Sequence, residues 1–159
     1  MNSDMTRNNV YLGRDKSICG LPMLASGKVR DIYEVDEDHL LFVTTDRVSA
    51  FDVVMNTGIP DKGRVLTAIA EYWFANTSDI IENHLVSTSV DDVAALDDET
   101  KERLRGRIML VKRAEPTTVE WVVRGYIAGS GWKEYKDSQT VCGIPLPAGL
   151  ELAQRLPEP

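Results

Sequence analysis

Cysteine is scarce in this sequence, which argues against two common ways of stabilising a small protein. The 159 residues contain only Cys19 and Cys142, with no CxxC pair and no histidine beside either cysteine. A disulfide framework and a structural zinc site are therefore not expected. We expect two buried, unpaired thiols in a cytoplasmic protein, because this cysteine usage suits a reducing compartment.

Surplus positive charge and long apolar runs are also missing. Lys and Arg number 18 against 25 Asp and Glu, so the net charge is −7. This balance argues against a nucleic-acid partner, because sequence-independent binding needs a basic surface. No apolar run approaches the roughly 20 residues of a membrane span, so no membrane partner is expected. A local basic pocket for a phosphorylated small molecule is compatible with this charge.

The 159 residues are enough for one domain with a core, or for one domain and part of another, and 43% of them are hydrophobic. We predict an N-terminal arm over residues 1–20 and a first lobe over 21–113. The start of a second lobe is predicted over 114–159, because Pro116 interrupts two apolar stretches and is typical of a hinge.

The periodicity within the first lobe predicts a sheet with one helix packed on it. A β-hairpin is expected with its turn at Asp36–Asp38, and a short strand at Leu85–Ser87. A helix of about 15 residues is expected after Gly63, because its apolar residues recur every three or four positions. We expect Trp73 and Phe74 to lie in the core.

The stretch VEWVVRGYIAGSGWKEY predicts a strand, a Gly-rich turn and a helix start in succession. The strand would cover Val119–Val123 and end at Arg124, with Ser130 inside the turn. Such a turn can bind an anion through backbone N–H groups, and a guanidinium adds a planar fork for phosphate or carboxylate. The alternative is a plain strand-to-helix connection with a surface arginine.

Two further polar segments have a functional and a structural interpretation. Lys28 and Arg30 alternate along a predicted strand after Gly27, so both cations would face one side, toward a polyphosphate or toward solvent. The segment TDRVSAFD places Ser49 and Asp52 in a turn that either presents them to a ligand or only ends a strand.

Five motifs stand in one order: ASGKVRDIYEV, TDRVSAFD, IPDKGRVLT, VEWVVRGYIAGSGWKEY and GIPLPAGL followed by LPEP. Together they resemble the phosphoribosylaminoimidazole-succinocarboxamide synthase (SAICAR synthetase) family of purine biosynthesis over about residues 25–159. The resemblance implies an α+β, ATP-grasp-like arrangement of two lobes with antiparallel sheets, the second lobe incomplete in this chain. It implies a ligase that joins carboxyaminoimidazole ribonucleotide (CAIR) to L-aspartate, converting ATP to ADP and phosphate with Mg²⁺.

The same resemblance implies roles for individual residues. Seven residues would form the nucleotide site, which comprises the motif over the ATP phosphates, the apolar wall and the border of the adenine. They are Gly27, Lys28, Val29, Arg30, Ile32, Lys112 and Ala114. The substrate side would include the CAIR-phosphate residues Arg124 and Ser130, and also Ser49, Asp52, Lys62 and Glu120. Glu120 is included because strand alternation would place it on the same face as Arg124.

Members of the family continue well beyond the LPEP motif, and that further part carries their magnesium-binding carboxylates. We therefore expect this chain to be a fragment without a metal site of its own, whose catalytic activity in this form is doubtful. One alternative is a non-catalytic ATP-binding lobe, which aspartate-dependent ADP release would distinguish from the ligase. Another is a structural or interaction domain, which nucleotide binding would exclude.

Overall fold

The computed structural model describes residues 10–51 and 53–158, which divide between Glu115 and Pro116 into two units. The sequence predicts a boundary two residues earlier, between residues 113 and 114. Pro116 begins the second unit, in agreement with the preference of proline for places where regular structure stops. Each unit has its own buried cluster of apolar side chains.

The first unit is built on one antiparallel sheet of six strands. Its elements in chain order are β1 (Ser17–Ile18), β2 (Leu21–Ser26), β3 (Arg30–Glu34), β4 (His39–Thr44), β5 (Ser49–Ala50), β6 (Val53–Val54), α1 (Lys62–Asn76), β7 (Leu85–Ser87), α2 (Asp98–Leu104) and β8 (Ile108–Lys112). The strand order in the sheet is β1-β2-β3-β4-β8-β7, and β5 and β6 pair separately. The predicted hairpin around residues 36–38 and the predicted strand Leu85–Ser87 are confirmed.

One face of this sheet carries the main core. Tyr33 pairs with Leu41, and Leu41 pairs with Leu110, so the three side chains lie on the same face. Tyr33 and Leu41 are fully buried, beneath the short α2 helix and the turn of 3-10 helix at Val90–Asp92. The apolar side chains that complete this core are Ile18, Leu21, Val43, Val90, Val93, Leu96, Leu104 and Ile108.

The helix α1 spans 15 residues, as predicted, but its aromatic residues are not in the core. Its buried positions are Gly63 and Thr67, and a Cβ at Gly63 would collide with the carbonyl oxygen of Thr44. Trp73 is 58% exposed, so the expectation that it lies in the core is wrong. The apolar residues of α1 form two adjacent stripes, and within each stripe they recur every four positions. The stripe that contains Ile69 and Trp73 is exposed.

The N-terminal segment differs from the predicted arm where the structure describes it. Ser17 and Ile18 form β1 and pair with β2, and Ile18 is buried in the core. Tyr11 is tied to the sheet through its amide, which donates to the Asp46 carboxylate at 2.8 Å. Residues 1–9 of the predicted arm lie outside the described residues.

The second unit contains α3 (Gly129–Ser138) and a hairpin of β9 (Thr140–Val141) and β10 (Ile144–Pro145). Its core is formed by Ile127, Tyr135 and Leu150. The Tyr135 hydroxyl donates to the Pro147 carbonyl at 2.7 Å and accepts from the Leu150 amide at 3.0 Å. The predicted helix is therefore present, although it begins at Gly129 and not at Trp132.

The predicted strand Val119–Val123 is wrong. None of its residues is assigned to a strand, and no strand pairs with it among the described residues. Val119 is 58% exposed, Trp121 82% and Val123 80%. An apolar run on both faces is typical of a buried strand, but without a neighbouring strand and a covering layer the run lies exposed.

Two smaller expectations from the sequence concern the thiols and the membrane. Cys142 is exposed and Cys19 is half-buried, so the expectation of two buried thiols is wrong, although both are free. Across residues 10–51 and 53–158, no helix is long and apolar enough to cross a membrane.

Candidate functional site

The loop Gly27–Val29 joins β2 to β3 and carries the predicted phosphate-binding residues. Gly27 and Lys28 are exposed, and Val29 is half-buried. Because β3 begins only at Arg30, Lys28 lies in the loop and not on a strand face. The prediction that alternation places Lys28 and Arg30 on one strand face is therefore wrong: Lys28 lies in the hairpin loop and Arg30 is the first residue of β3.

The backbone of this loop is fixed from inside the protein. The Gly27 amide donates to the Arg30 carbonyl at 2.7 Å, which closes the hairpin. The carbonyls of Gly27 and Lys28 accept from Arg47 Nη2 at 3.0 Å and from Arg47 Nε at 3.2 Å. The Val29 carbonyl accepts from the Thr45 amide at 2.9 Å and from Thr45 Oγ1 at 2.8 Å.

Arg47 is itself held by a buried carboxylate. Its Nη2 lies 2.8 Å from Asp31 Oδ1 and its Nη1 lies 3.1 Å from Asp31 Oδ2, so the pair is bidentate. Both side chains are almost completely buried. Burial alone would raise the pKa of Asp31, but hydrogen bonds from Arg47, Ser26 and the Arg14 amide outweigh it and lower that pKa overall.

A second buried ion pair lies beside the first. Asp46 Oδ1 accepts from Arg107 Nη1 at 3.0 Å and from the Gly63 amide at 2.8 Å. This carboxylate therefore fixes the first turn of α1, which carries Lys62. Burial raises the pKa of Asp46, and the hydrogen bonds from Arg107, Tyr11 and Gly63 lower it by more, so its pKa lies below the usual value.

The sequence alone did not single out Asp31, Asp46, Arg47 or Arg107 as functional. Asp46 and Arg47 were part of a polar turn, and charged residues in turns are usually solvated. Spacing carries no signal for them, because their partners lie 16 and 61 residues away. The available signal was the position of Asp46 and Arg47 in the sequence. They come two and three residues after the apolar strand β4, where a charged side chain is next to the core.

An apolar row crosses the sheet on the face opposite the main core. Ile32 pairs with Phe42 and Phe42 pairs with Met109, so the three side chains stand side by side on that face. Ile32 and Phe42 are half-buried, so part of this row is accessible. The His84 ring packs 5.9 Å from the Phe42 ring, and its pKa is lowered by burial first and then by Arg30.

Lys112 is the last residue of β8, and Ala114 follows it by two residues. In the sheet, β3 and β4 separate β8 from β2, so both residues lie away from the Gly27–Val29 loop. They line a cavity of about 530 Å³ together with Phe74 and His84. The Lys112 amide donates to the His84 carbonyl at 2.8 Å, which fixes this edge. The predicted ATP residues therefore all lie in the first unit, at the loop, along β3 and at the end of β8.

The predicted substrate residues are distributed over both units. Ser49 lies half-buried in β5, and Lys62 is half-buried at the start of α1. Asp52 lies outside the described residues. Glu120 is exposed in the segment that forms no strand, so the alternation that linked it to Arg124 is wrong.

Arg124 and Ser130 meet at the beginning of α3 in the second unit. Arg124 Nη2 lies 2.9 Å from Ser130 Oγ, and Nη1 lies 3.3 Å from the Ala128 carbonyl. A Cβ at Gly131 would lie 3.1 Å from Arg124 Nε, so glycine leaves room for the guanidinium. The helix has no side-chain cap, and a cation at its positive end favours an anion there.

No three histidine, cysteine, aspartate or glutamate side chains form a metal-binding cluster within 10–51 and 53–158. Magnesium is usually held by one or two carboxylates together with substrate phosphates and water, so these described residues identify no protein ligand for it.

The model of the SAICAR synthetase family matches residues 23–159 of this chain. The chain belongs to the SAICAR synthetase family. The α+β fold with antiparallel sheets that the motifs implied is thereby confirmed.

Three known proteins show the extent of the likeness. The Syntrophotalea carbinolica protein named phosphoribosylaminoimidazole-succinocarboxamide synthase is 59% identical over 139 residues, 87% of this chain and 47% of the relative. A SAICAR synthase from Saccharomyces cerevisiae, solved as a complex with SAICAR, is 46% identical with a TM-score of 0.79 and covers 87% of this chain and 48% of its own. A type-2 SAICAR synthetase in complex with ADP, 21% identical, has a TM-score of 0.59 over 84% of this chain and 46% of its own, and shows the fold alone.

This member of the SAICAR synthetase family spans about half the length of the relatives it matches. Both units are represented in that half, because the matched residues run from 23 to 159.

We predict that the buried carboxylates make the protein acid-sensitive. The folded-state pKa values of Asp31 and Asp46 lie below the unfolded value of 3.8. Their stabilising effect is therefore complete above that value and is lost as the pH falls through the folded pKa. Asp46→Asn should lower the free energy of unfolding at pH 7 by about 3–5 kcal/mol, because it leaves Arg107 buried without a charged partner.

Urea unfolding of the original protein and of Asp46→Asn between pH 7 and pH 3 tests this. The difference between the two free energies should narrow below about pH 4, where the Asp46 carboxylate of the unfolded chain begins to take up a proton. Glu37→Gln, in the exposed β3–β4 turn, is the matched control and should change little. A constant difference down to pH 3 would show that Asp46 does not titrate with folding.

Proposed function

We propose that this chain is the nucleotide-binding part of a ligase that joins CAIR to L-aspartate as an amide, with ATP converted to ADP and phosphate. The observation that carries the proposal is the family match over residues 23–159. The complex of the yeast relative with SAICAR supports the substrates, because SAICAR is the product of that reaction. We place the protein in the cytoplasm.

ATP is proposed to bind in the first unit. Its phosphates would lie against the Gly27–Val29 loop, where Lys28 and Arg30 supply positive charge and the loop supplies amide N–H groups. The base would lie against the apolar row that includes Ile32. The edge formed by Lys112 and Ala114 would border the adenine. A type-2 SAICAR synthetase of the same fold has been solved in complex with ADP.

CAIR is proposed to place its phosphate at the start of α3. The Arg124 guanidinium, the Ser130 hydroxyl and the uncapped amides of the first turn would all donate to it. Ser49, Asp52, Lys62 and Glu120 are proposed for the substrate side from the family motifs, and of these Ser49 and Lys62 are described and half-buried.

The chemistry needs positioning and charge neutralisation more than a nucleophilic side chain. A carboxylate oxygen of CAIR would attack the γ-phosphorus of ATP, and the bond to the β,γ-bridging oxygen would break to release ADP. The aspartate amine would then attack the acyl carbon, losing a proton as phosphate leaves. Lys28 and Arg30 are suited to stabilise the charge on the transferring phosphoryl group. Magnesium would supply further charge neutralisation at the phosphates.

A non-catalytic nucleotide-binding lobe is the second candidate. It is favoured by the placement of all the residues proposed for ATP in the first unit. In this function the same loop would bind ATP without transfer of the phosphoryl group.

The ligase function can be tested in a form with the length of the relatives. We predict that residues 1–159, fused to the aligned second half of the Syntrophotalea carbinolica protein, release ADP only when both CAIR and aspartate are present. A coupled assay for ADP, with SAICAR detected by its absorbance, measures this. ADP release at the same rate without CAIR would contradict the ligase, and nucleotide binding without turnover would favour the second candidate.

Two substitutions should separate the nucleotide from CAIR. Lys28→Ala should weaken ATP use about ten- to a hundredfold, because a charge-assisted contact contributes about 1.5–3 kcal/mol. Arg124→Lys keeps the charge but loses the planar fork, so it should weaken CAIR use and leave ATP use nearly unchanged. Titrating each ligand against each variant of the fusion provides the measurement.

Lys16→Ala, an exposed lysine outside the loop, is the control for Lys28→Ala and should behave like the original protein. Equal loss of both ligands in either variant would indicate a folding defect. Loss of ATP use in Arg124→Lys would place the nucleotide in the pocket assigned to CAIR.

A further inference from the structure

We propose that Arg47, assisted by Thr45, is a positioning residue for the nucleotide: it fixes the Gly27–Val29 loop in the conformation that presents its amides to phosphate. This inference rests on the proposed function, because it takes that loop to be the phosphate-binding segment. Arg47 is 2% exposed, so it acts through the loop and does not itself contact the ligand.

Three consecutive carbonyls of the loop are held by two residues of the segment TDRVSAFD. Arg47 binds the carbonyls of residues 27 and 28 at 3.0 and 3.2 Å. Thr45 binds the carbonyl of residue 29 with both its amide and its hydroxyl, at 2.9 and 2.8 Å. Each carbonyl in the loop is therefore turned toward the protein interior.

The direction of the carbonyls determines the direction of the amides. A trans peptide is planar, so the N–H of the following residue points away from the carbonyl of the preceding one. With the three carbonyls directed inward, the N–H groups of Lys28, Val29 and Arg30 point away from the Arg47 and Thr45 side chains. Successive N–H groups that point to one side form a concave site for an anion.

Arg47 is suited to this task because all five of its N–H donors are used. Beyond the loop carbonyls, Nη1 donates to the Leu12 carbonyl at 2.7 Å and Nη1 and Nη2 donate to the Asp31 carboxylate. Its carboxylate partner is fixed in turn by Ser26 Oγ at 2.6 Å and the Arg14 amide at 2.7 Å. A lysine could neutralise Asp31 but could not span both loop carbonyls and the carboxylate.

The Asp31–Arg47 pair also limits what Arg47 contributes electrostatically. Because the guanidinium is paired with a carboxylate at 2.8 Å, the pair adds little net charge to the neighbouring loop. Its effect on the nucleotide is therefore geometric. Positive charge for the phosphates would come from Lys28 and Arg30, which are exposed.

The test compares four forms of the 159-residue chain: the original, Arg47→Lys, Thr45→Val and Thr45→Ser. Thr45→Val has the same shape but removes the hydroxyl bond to residue 29, whereas Thr45→Ser retains it. ADP affinity should fall about three- to tenfold in Thr45→Val and more than tenfold in Arg47→Lys, and Thr45→Ser should match the original. Calorimetry measures the affinity of each form for ADP.

Amide hydrogen exchange without nucleotide gives the second readout. The Gly27 amide, bonded to the Arg30 carbonyl, should exchange at least several-fold faster in Arg47→Lys and Thr45→Val. Amides paired between β4 and β8 should keep their protection, which separates a loosened loop from a loosened fold. If Arg47→Lys loses protection throughout the sheet, the ADP affinities and the Gly27 exchange rates of Thr45→Val and Thr45→Ser test the inference without it.

The possible failures are distinguishable. Unchanged ADP affinity in a folded Thr45→Val and Arg47→Lys would overturn this inference and leave the proposed function standing. Absence of ADP binding by the original chain would overturn the nucleotide function of the loop, and with it the role of Arg47. Reduced affinity in Thr45→Ser equal to that in Thr45→Val would also contradict it, because the hydroxyl would not be the group that matters.

Discussion

Two buried arginines impose the constraint on which the first unit depends. A guanidinium taken out of water must be paired and fully hydrogen-bonded, or its burial costs several kcal/mol. Asp31 and three backbone carbonyls meet this requirement for Arg47, whereas Arg107 is paired with Asp46 but has no hydrogen-bond partner among the described residues for its buried Nε. Because these carboxylates also bind backbone amides at Arg14, Tyr11 and Gly63, the two pairs fix the N-terminal segment and the start of α1 together. Replacing such a pair by well-packed apolar residues is often neutral in stability, so we propose that these two pairs select one arrangement of the loops.

The β3–β4 hairpin and the length of α1 could be predicted because their signals are local. The β3–β4 hairpin follows from alternating residues around an acidic turn, and the length of α1 from its three- and four-residue repeat. The side of α1 that is buried could not be predicted, because Val65, Ile69 and Trp73 form a second apolar stripe whose exposure depends on what covers it. The strand predicted at Val119–Val123 was wrong for the same reason. These residues favour an extended conformation, but a strand needs a neighbouring strand to pair with.

The candidate site likewise has a part that could be predicted from the sequence and a part that could not. Gly27, Lys28 and Arg30 could be selected from residue type and from the motifs, because glycine and cations next to a strand are local features. Their supporting residues Arg47 and Thr45 could not, because hydrogen bonds that join positions 16 to 20 residues apart are invisible to spacing. The exposed apolar residues on α1 and at Trp121 are surfaces of the kind that mark contacts with another chain or segment.

A nucleotide is proposed to bind on the first unit, at the loop supported by Arg47. Titration of the isotope-labelled chain with ADP, followed by the chemical shift of each backbone amide, tests this binding site. We expect the largest changes at residues 27–30 and 112–114, with little change at residues 124–131. Changes concentrated at Arg124 and Ser130, or absent from the loop at saturating ADP, would contradict it.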